Sequence, residues 1–169
     1  SVTEVTGDKH TRTLNNVLGK TFQIIENHTS NISYHYDALG KLINTNTNGY
    51  VISLRYDKFG NKVAMTDPAV GSINYTYNAF SELTSQTDAK GQINKYTYDI
   101  LGRKLSTVTP EGTTTYHYDS QLAGTLDKVS NNTSTRTYQY NDKAQLSSET
   151  LITRDKSFTT SYSYNAKGQ

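Results

Sequence analysis

The sequence predicts an all-β protein in which repeated antiparallel β-hairpins form a curved, spiralling sheet, a β-solenoid or a segment of a shell wall. Three observations lead to this prediction. A tyrosine motif recurs every 20 to 24 residues, the runs between motifs are rich in β-branched and aromatic residues, and each repeat contains two turn signals. Helical periodicity of 3.6 residues is not evident anywhere in the chain.

The repeat is seen most clearly in YTYDILGRKL, residues 96–105. We call its second tyrosine, Tyr98, the marker tyrosine. The seven marker tyrosines are spaced by 20, 21, 21, 20, 22 and 24 residues, with Asn15 as a degenerate eighth copy, and an Asp or Asn follows each marker. The predicted structural positions of the repeats are Tyr34, Tyr36, Asp37, Gly40, Tyr56, Asp57, Gly60, Tyr75, Tyr77, Asn78, Tyr96, Tyr98, Asp99, Gly102, Tyr116, Tyr118, Asp119, Tyr138, Tyr140, Asn141, Tyr162, Tyr164, Asn165 and Gly168.

The first element of each repeat is a strand that ends at the marker tyrosine. A second tyrosine stands two positions before six of the seven markers, and the residue between the two tyrosines is polar, as Thr97 is. Because side chains alternate across a strand, both tyrosines share one face. We expect Tyr75, Tyr77, Tyr96 and Tyr98 to be largely buried, since burying one aromatic side chain contributes roughly 1.5–3 kcal/mol.

The next element is a tight turn. Its Asp or Asn can accept a hydrogen bond from the backbone N–H two residues on, and a glycine four residues past the marker tolerates positive φ. A bulge is expected at this glycine. The glycine is replaced by Ser81 and Ala144 in two repeats and displaced to Gly124 in a third.

A returning strand and a looser turn complete each repeat. The returning strand carries an aliphatic residue whose position varies by one: Leu42, Val63, Leu83, Leu105 or Leu146. The expected buried stripe therefore alternates tyrosine with leucine or valine. Looser turns end at Gly49, Gly71, Gly91 and Gly112, which gives about two strands per repeat and roughly sixteen in all.

The repeats predict one array over residues 1–169, with about eight copies, truncation at both ends and no separate second domain. The strands near residues 2–5 and 161–165 would then be open edges with unpaired backbone groups. Edge-to-edge self-association of the chain is the expected consequence.

The pattern Y-x-Y-[DN]-x-x-G-[KR], followed by T-[DP]-x-x-G, resembles the YD or Rhs repeat of bacterial polymorphic toxins, insecticidal toxin complexes and teneurins. The resemblance covers residues 6–169. It implies a strip of hairpins that spirals into a hollow shell around a carboxy-terminal toxin domain. Neither the glycine-rich core segment of the bacterial shells nor a toxin domain is recognised within residues 1–169.

The composition narrows the classes of function. A formal net charge of +2 gives no electrostatic case for nucleic acid or an anionic membrane surface. There is no cysteine, no apolar run long enough for a spanning helix, and no motif for a cofactor, so none is predicted. Without a nucleophile elbow, a P-loop or a recurring Ser-His-acid set, the protein is not expected to be an enzyme.

Two patterns in the sequence resemble metal sites, one of aspartates and one of histidines. The recurring Asp37, Asp57, Asp99 and Asp119 suggest a calcium ladder, but Asn replaces Asp freely and no second carboxylate recurs at a ligand spacing. His35 and His117 share a repeat position without a zinc spacing. Hydrogen bonds to the turn backbone explain Asp and Asn alike, and no metal is predicted.

Three classes of function stay open. The preferred one is a structural segment of a bacterial Rhs/YD-repeat toxin shell, with the rest of the shell and its toxin as partners and a secreted or cell-surface location. A carbohydrate-binding or adhesion module is the alternative, because polar-rimmed aromatic rows bind sugars. A teneurin-like receptor piece is disfavoured by the Lys- and Asn-rich, cysteine-free composition.

Overall fold

The computed structural model describes residues 2–6, 9–27, 29–165 and 167–168. They form sixteen β-strands. The strands are β1 (Val2–Thr6), β2 (Lys9–Asn15), β3 (Thr21–Glu26), β4 (Ser30–Tyr36), β5 (Leu42–Thr47), β6 (Tyr50–Tyr56), β7 (Lys62–Asp67), β8 (Gly71–Tyr77), β9 (Leu83–Thr87), β10 (Ile93–Tyr98), β11 (Lys104–Thr109), β12 (Gly112–Tyr118), β13 (Leu126–Ser130), β14 (Ser134–Tyr140), β15 (Leu146–Thr153) and β16 (Lys156–Ser161). The predicted all-β class and two strands per repeat are confirmed.

The chain divides into two compact units: residues 1–77 with 86–91, and residues 78–85 with 92–169. In the first unit β1 to β8 pair antiparallel in chain order. In the second unit β10 to β16 do the same. All pairing within each unit is therefore between consecutive strands, as expected for a row of hairpins.

The tight turns after the marker tyrosines have the predicted backbone. In the turn after Tyr98, the N–H of Gly102 donates to the carbonyl of Asp99 at 3.1 Å, and Gly102 lies at φ 77°. Ser81 and Ala144, which replace the glycine, keep positive φ at 63° and 58°. The displaced Gly124 lies at 87°. The turn therefore requires the left-handed conformation whichever residue is present.

The bulge lies in the returning strand and not at the turn glycine, which corrects the sequence expectation. In the second unit Thr97 pairs with Ser106 while Tyr98 pairs with Lys104, so Leu105 has no partner in the register. The same skipped position is occupied by Phe22, Ile43, Val63, Asp127 and Ser147. The varying aliphatic position in the sequence is thereby explained, because Leu42 and Leu146 pair with marker tyrosines whereas Val63 and Leu105 are bulge residues.

The tyrosines take the predicted face and are more buried than the threonines between them, as predicted. Tyr75, Tyr77, Tyr96 and Tyr98 are half-buried, while the intervening Thr76 and Thr97 are exposed. Among the described residues no apolar side chain is fully buried. Within each unit the strands pack only against their neighbours in the sheet. The side chains that cover a tyrosine therefore come from its own and the neighbouring strands, and the described residues form no fully buried apolar core.

The last strand ends earlier than predicted. Strand β1 covers the predicted residues 2–5, but β16 ends at Ser161 and residues 162–165 are not a strand. Two contacts hold this segment against β15: the Tyr162 N–H donates to the Ser147 carbonyl at 2.9 Å, and the Tyr164 hydroxyl donates to the Leu146 carbonyl at 2.8 Å. The backbone hydrogen bonds after Tyr162 are too few to extend the pairing of β15 with β16.

The positive φ at this turn position predicts opposite changes in stability for two substitutions, one at Gly102 and one at Ala144. Gly102→Ala should lower the free energy of unfolding by about 1 kcal/mol, because a left-handed L-residue costs roughly 1–2 kcal/mol and the reduced entropy of the unfolded chain returns only part of it. Ala144→Gly should raise it for the same reason. Urea unfolding midpoints measure both changes. Ala79→Gly, in a related turn but without positive φ, is the control and should be destabilising.

Candidate functional site: the turn caps and the tyrosine ladder

Each tight turn is capped by its Asp or Asn side chain. In the turn after Tyr98, Asp99 Oδ1 accepts the N–H groups of Leu101 and Arg103, both at 2.9 Å. The sequence predicted the bond from the residue two positions on, and the structure adds one from the residue four positions on. The same pair of bonds is made by Asn16, Asp37, Asp57, Asn78 and Asn141. Asp and Asn act alike, as turn capping requires.

The other side-chain atom of the cap pairs with the residue that follows the turn glycine position. Asp99 Oδ2 accepts Arg103 Nε at 2.7 Å. Where the cap is Asn78, its amide instead donates to Glu82 at 2.6 Å. Donor and acceptor are thus matched in four turns; the remaining pairs are Asp57 with Asn61 and Asn141 with Gln145. Sequence reasoning missed this pairing, although the two residue types are complementary in these four repeats.

The turn after Tyr118 departs from the pattern. Asp119 is itself at φ 66°, and its Oδ1 accepts the N–H of the displaced Gly124 at 2.6 Å. The guanidinium of Arg103 binds both oxygens of Asp119, at 2.8 and 2.6 Å. These hydrogen bonds, that of Arg103 first, lower the pKa of Asp119 to about 2. Arg103 therefore links two successive turns through Asp99 and Asp119.

Asp127 is the one fully buried residue among those described, at 5% exposure. It occupies the bulge position that holds the aliphatic residues Ile43 and Leu105 in other repeats. Its Oδ2 accepts the N–H of Ser120 at 2.6 Å, while its buried Oδ1 has no hydrogen-bond partner within the described residues. The longer turn folds over this carboxylate. An acid at a repeat position that is apolar in most other repeats was the sequence signal, and it was missed.

The marker tyrosines form what we call the tyrosine ladder, a set of hydroxyl-to-carbonyl hydrogen bonds between repeats. The hydroxyl of Tyr98 donates to the carbonyl of Leu83, the first residue of β9, at 2.9 Å. Every marker tyrosine makes the equivalent bond to the first residue of the preceding returning strand, at 2.7 to 3.0 Å: Tyr36 to Thr21, Tyr56 to Leu42, Tyr77 to Lys62, Tyr118 to Lys104, Tyr140 to Leu126 and Tyr164 to Leu146.

The tyrosine ladder continues cross-strand bonding beyond the backbone pairing. Backbone pairing of β5 with β6 ends at Asn44 and Ser53, although β5 begins at Leu42 and β6 extends to Tyr56. The Tyr56 hydroxyl reaches the Leu42 carbonyl in this stretch. The register of β11 with β12 also ends two residues after Lys104. Each hydroxyl therefore ties together two strands where their backbones no longer pair.

Cations stack on the rings of the tyrosine ladder. Lys20 Nζ lies 5.3 Å from the Tyr36 ring centroid, and Lys41 Nζ lies 5.3 Å from that of Tyr56. Lys20 Nζ also donates to the carbonyl of Gly40 in the next turn. The guanidinium carbon of Arg103 lies 4.5 Å from the Tyr118 centroid. The residue after one turn glycine thus covers the marker tyrosine of the following repeat.

Burial of the ring raises the pKa of several marker tyrosines. For Tyr98 burial is the largest cause, and the nearby Glu82 carboxylate adds to it. Tyr77, Tyr118 and Tyr140 shift in the same direction, again chiefly through burial. All four hydroxyls therefore stay protonated and remain donors at neutral pH.

Among the described residues the structure provides no set of metal ligands for either metal-site hypothesis. His35 and His117 are each exposed on their own strands. Within the described ranges, no three His, Cys, Asp or Glu side chains come together as metal ligands. None of the described segments forms a helix with the length and apolar character needed to cross a bilayer. The groups at the repeat positions are engaged with one another instead.

Comparison with known proteins agrees with this geometry. The model of the RHS Repeat family matches residues 36–69 and 77–114. The tRNA3(Ser)-specific nuclease WapA of Bacillus spizizenii is 33% identical over 120 residues, which is 69% of this chain and 5% of that protein. The probable deoxyribonuclease RhsB of Dickeya dadantii is 28% identical over 79 residues, 47% of this chain and 6% of that protein. The chain thus spans only about a twentieth of the length of these relatives.

Solved structures share the fold. The crystal structure of TcdB2-TccC3-Cdc42 superposes with a TM-score of 0.78 at 18% identity, covering 94% of this chain and 10% of that one. TcdB2-TccC3 without its hypervariable C-terminal region gives a TM-score of 0.77 at 18% identity, covering 95% and 10%. The fold is therefore that of a repeat segment in Tc toxin proteins. The chain therefore contains RHS repeats over the two stretches that the family model matches.

The tyrosine ladder predicts a difference between two neighbouring tyrosines. Tyr98→Phe should lower the free energy of unfolding by about 0.5–1.5 kcal/mol, because one intramolecular hydrogen bond is lost. Tyr96→Phe is the matched control, since the Tyr96 ring contacts Lys104 and its hydroxyl makes no hydrogen bond within the described residues. Equal urea midpoints for the two variants would contradict a stabilising role of the hydroxyl.

The lowered pKa of Asp119 predicts acid sensitivity. Its folded pKa of about 2 lies below the usual 3.8, so its stabilising effect is present above about pH 4 and is lost as pH falls through about 2. The stability difference between the native chain and Asp119→Asn should be constant above pH 5 and shrink between pH 4 and 2. Asp142→Asn, which removes a carboxylate from an exposed turn residue, is the control.

Proposed function

We propose that this chain is a wall segment of an RHS-repeat toxin shell that encapsulates or scaffolds a carboxy-terminal toxin domain. The observation that carries the proposal is the engagement of the repeated polar groups inside the wall. Asp99 caps its own turn, Arg103 links that turn to the next, and Tyr98 bonds the preceding repeat. Such groups build a continuous surface, and they present no arrangement for chemistry.

The likeness to Tc toxin proteins supports the same function. TcdB2-TccC3 has been solved both with Cdc42 and without its hypervariable C-terminal region. We carry the shell role from those proteins to this chain because fold and repeat agree. The remainder of the parent shell and the enclosed domain are then the partners of the segment, and the parent protein is secreted or placed on the surface of a bacterial cell.

We propose that the segment itself is not catalytic. The nuclease activities named for the relatives belong to those proteins, of which this chain matches about a twentieth. A structural role follows from the repeat-shell fold. The cargo domain would supply any activity of the parent protein.

One observation favours the alternative of a carbohydrate-binding module. The second unit has a cleft of about 330 Å³ at its looser turns, lined by Thr, Asn, Gly and Glu side chains and backbone that include Glu111 and Asn132. The marker tyrosines, half-buried rather than buried, leave ring surface open. A sugar could use hydroxyl and amide partners of this type. No tyrosine lines the cleft, however, so the stacking platform of a lectin is missing there.

Protease protection of the parent polypeptide tests the shell proposal. An enclosed toxin domain should be cleaved much more slowly in the native parent than after its release from the shell. Removing two hydroxyls of the tyrosine ladder, with Tyr98→Phe and Tyr118→Phe together, should speed cleavage by loosening the wall. The pair Tyr96→Phe and Tyr116→Phe is the control and should leave the rate unchanged. Rapid cleavage of the domain in the native parent would refute encapsulation.

A glycan array separates the two functions. A wall segment should show no saturable binding at millimolar or lower concentration. Binding of one sugar that is lost on Glu111→Gln or Asn132→Ala would reverse the ranking in favour of the carbohydrate module.

A further inference from the structure

The tight turns share a second feature, which plays no part in the hydrogen bonds of the tyrosine ladder. The residues at the tips of these turns are large, apolar and exposed. In the first unit they are Val17, Leu18, Leu39 and Phe59, with exposures of 102%, 76%, 82% and 75%. We call these four residues the tip row. The second unit has its own apolar tips at Phe80, Ile100 and Leu101.

The tip residues are not required by the turn. The side chains of Asp37 and Asp57 accept the backbone N–H groups of Leu39 and Phe59, and every residue type except proline supplies that N–H. The later turn after Tyr140 has Asp142 and Lys143 at the equivalent places. The hairpin therefore does not require apolar residues at its tip. Exposing such residues to water is unfavourable, so their presence indicates a surface that is covered by a partner.

The opposite ends of the first unit's hairpins are different. Asn27 and Asn48 lie in the looser turns, where each bonds the backbone of a strand in the preceding repeat, at His10 and Asn31. Val70 is the exposed large apolar residue at these turns, at 58%. The apolar surface is therefore concentrated at the tight turns.

The spacing of the tip row restricts what can cover it. One tip follows every second strand, so neighbouring tips are roughly 10 Å apart along the sheet, twice the spacing of paired strands. A partner that covers every tip must repeat at the same interval. Another stretch of the same repeat has that interval by construction, whereas an unrelated globular surface does not.

The charges beside the tips are also self-complementary. Two of the three turns that form the tip row place a carboxylate and a cation close to the apolar tip, as Asp37 and Lys41 do around Leu39, and Asp57 and Lys58 around Phe59. The turn with Leu18 at its tip has Lys20 alone. A second copy in antiparallel alignment can set carboxylate against cation along the row. An anionic lipid surface would meet these carboxylates as well as the lysines.

The apolar area of the tip row agrees with a reversible contact between two copies of the chain. Four apolar tips of roughly 100 Å² each provide about 400 Å² per partner, half of the standard interface of about 800 Å² per partner. We propose that the tip row is a docking edge for a second copy of this chain, joined isologously and in weak, concentration-dependent association. This contact is separate from pairing of the edge strands β1 and β16, and it holds whether or not the repeats enclose a toxin domain.

Sedimentation equilibrium of the 169-residue chain from about 5 to 500 µM tests the proposal. The native chain should form a dimer, and the triple variant Leu18→Ser, Leu39→Ser, Phe59→Ser should raise the dissociation constant at least tenfold. The control triple Val5→Ser, Val70→Ser, Phe158→Ser removes apolar residues of 60%, 58% and 57% exposure away from the tips and should leave it unchanged. Far-ultraviolet circular dichroism checks that each variant keeps the sheet.

Each other result overturns the proposal. A native chain that is monomeric throughout, or a tip variant that still dimerises, shows that the tip row is not the contact. Loss of the dimer in the control triple assigns association to the edge strands. If the tips instead drive binding of a monomer to vesicles of phosphatidylcholine and phosphatidylserine, the partner is a membrane.

A second measurement does not depend on the folding of the triple variant. The chain has no cysteine, so Leu39→Cys introduces a single thiol at an exposed tip. A short bis-maleimide should link two copies of this variant at concentrations where the dimer forms. Val70→Cys, at a looser turn of the same unit, is the control and should give at least tenfold less product. Equal yields would overturn the proposal.

Discussion

The hydrogen bond from each marker tyrosine to the preceding returning strand is the interaction on which the repeat array depends. Within each unit the described strands contact only their neighbours, so a hairpin is held against the next by backbone pairing and by side chains of these strands. The tyrosine hydroxyl adds a bond to a backbone carbonyl at a defined position, Leu83 for Tyr98 and Leu42 for Tyr56. One such bond per repeat joins the strand ends where the backbone pairing has stopped.

This arrangement explains how so polar a chain stays ordered. Only 33% of its residues are hydrophobic, and no described apolar side chain is fully buried. The tyrosine ring supplies apolar area, a flat surface for the cation of the preceding turn, and a hydroxyl for the neighbouring strand, as Tyr118 does with Arg103 and Lys104. Stability is then shared among nearest-neighbour contacts, as in other repeat proteins.

The irregular repeat after Tyr118 replaces apolar contacts with charges. Its longer turn displaces the glycine to position 124, brings Asp119 to Arg103, and places Asp127 at the bulge under the turn. A buried carboxylate with one unpartnered oxygen is costly, so this repeat depends on hydrogen bonds from Arg103 and Ser120 more than its neighbours do. Protonation of Asp119 at low pH therefore weakens the contact of this repeat with the preceding turn.

The sequence by itself determined the hairpin period, the shared face of Tyr96 and Tyr98, the capping by Asp99 and the positive φ of Gly102. These properties depend on residues within a few positions of one another, so local stereochemistry decides them. Only the tertiary structure decided the acceptor of each tyrosine hydroxyl, the bulge at Leu105 and the partial burial of the rings. These depend on which strand lies alongside and on whether another layer covers the face, and neither is encoded within a single repeat.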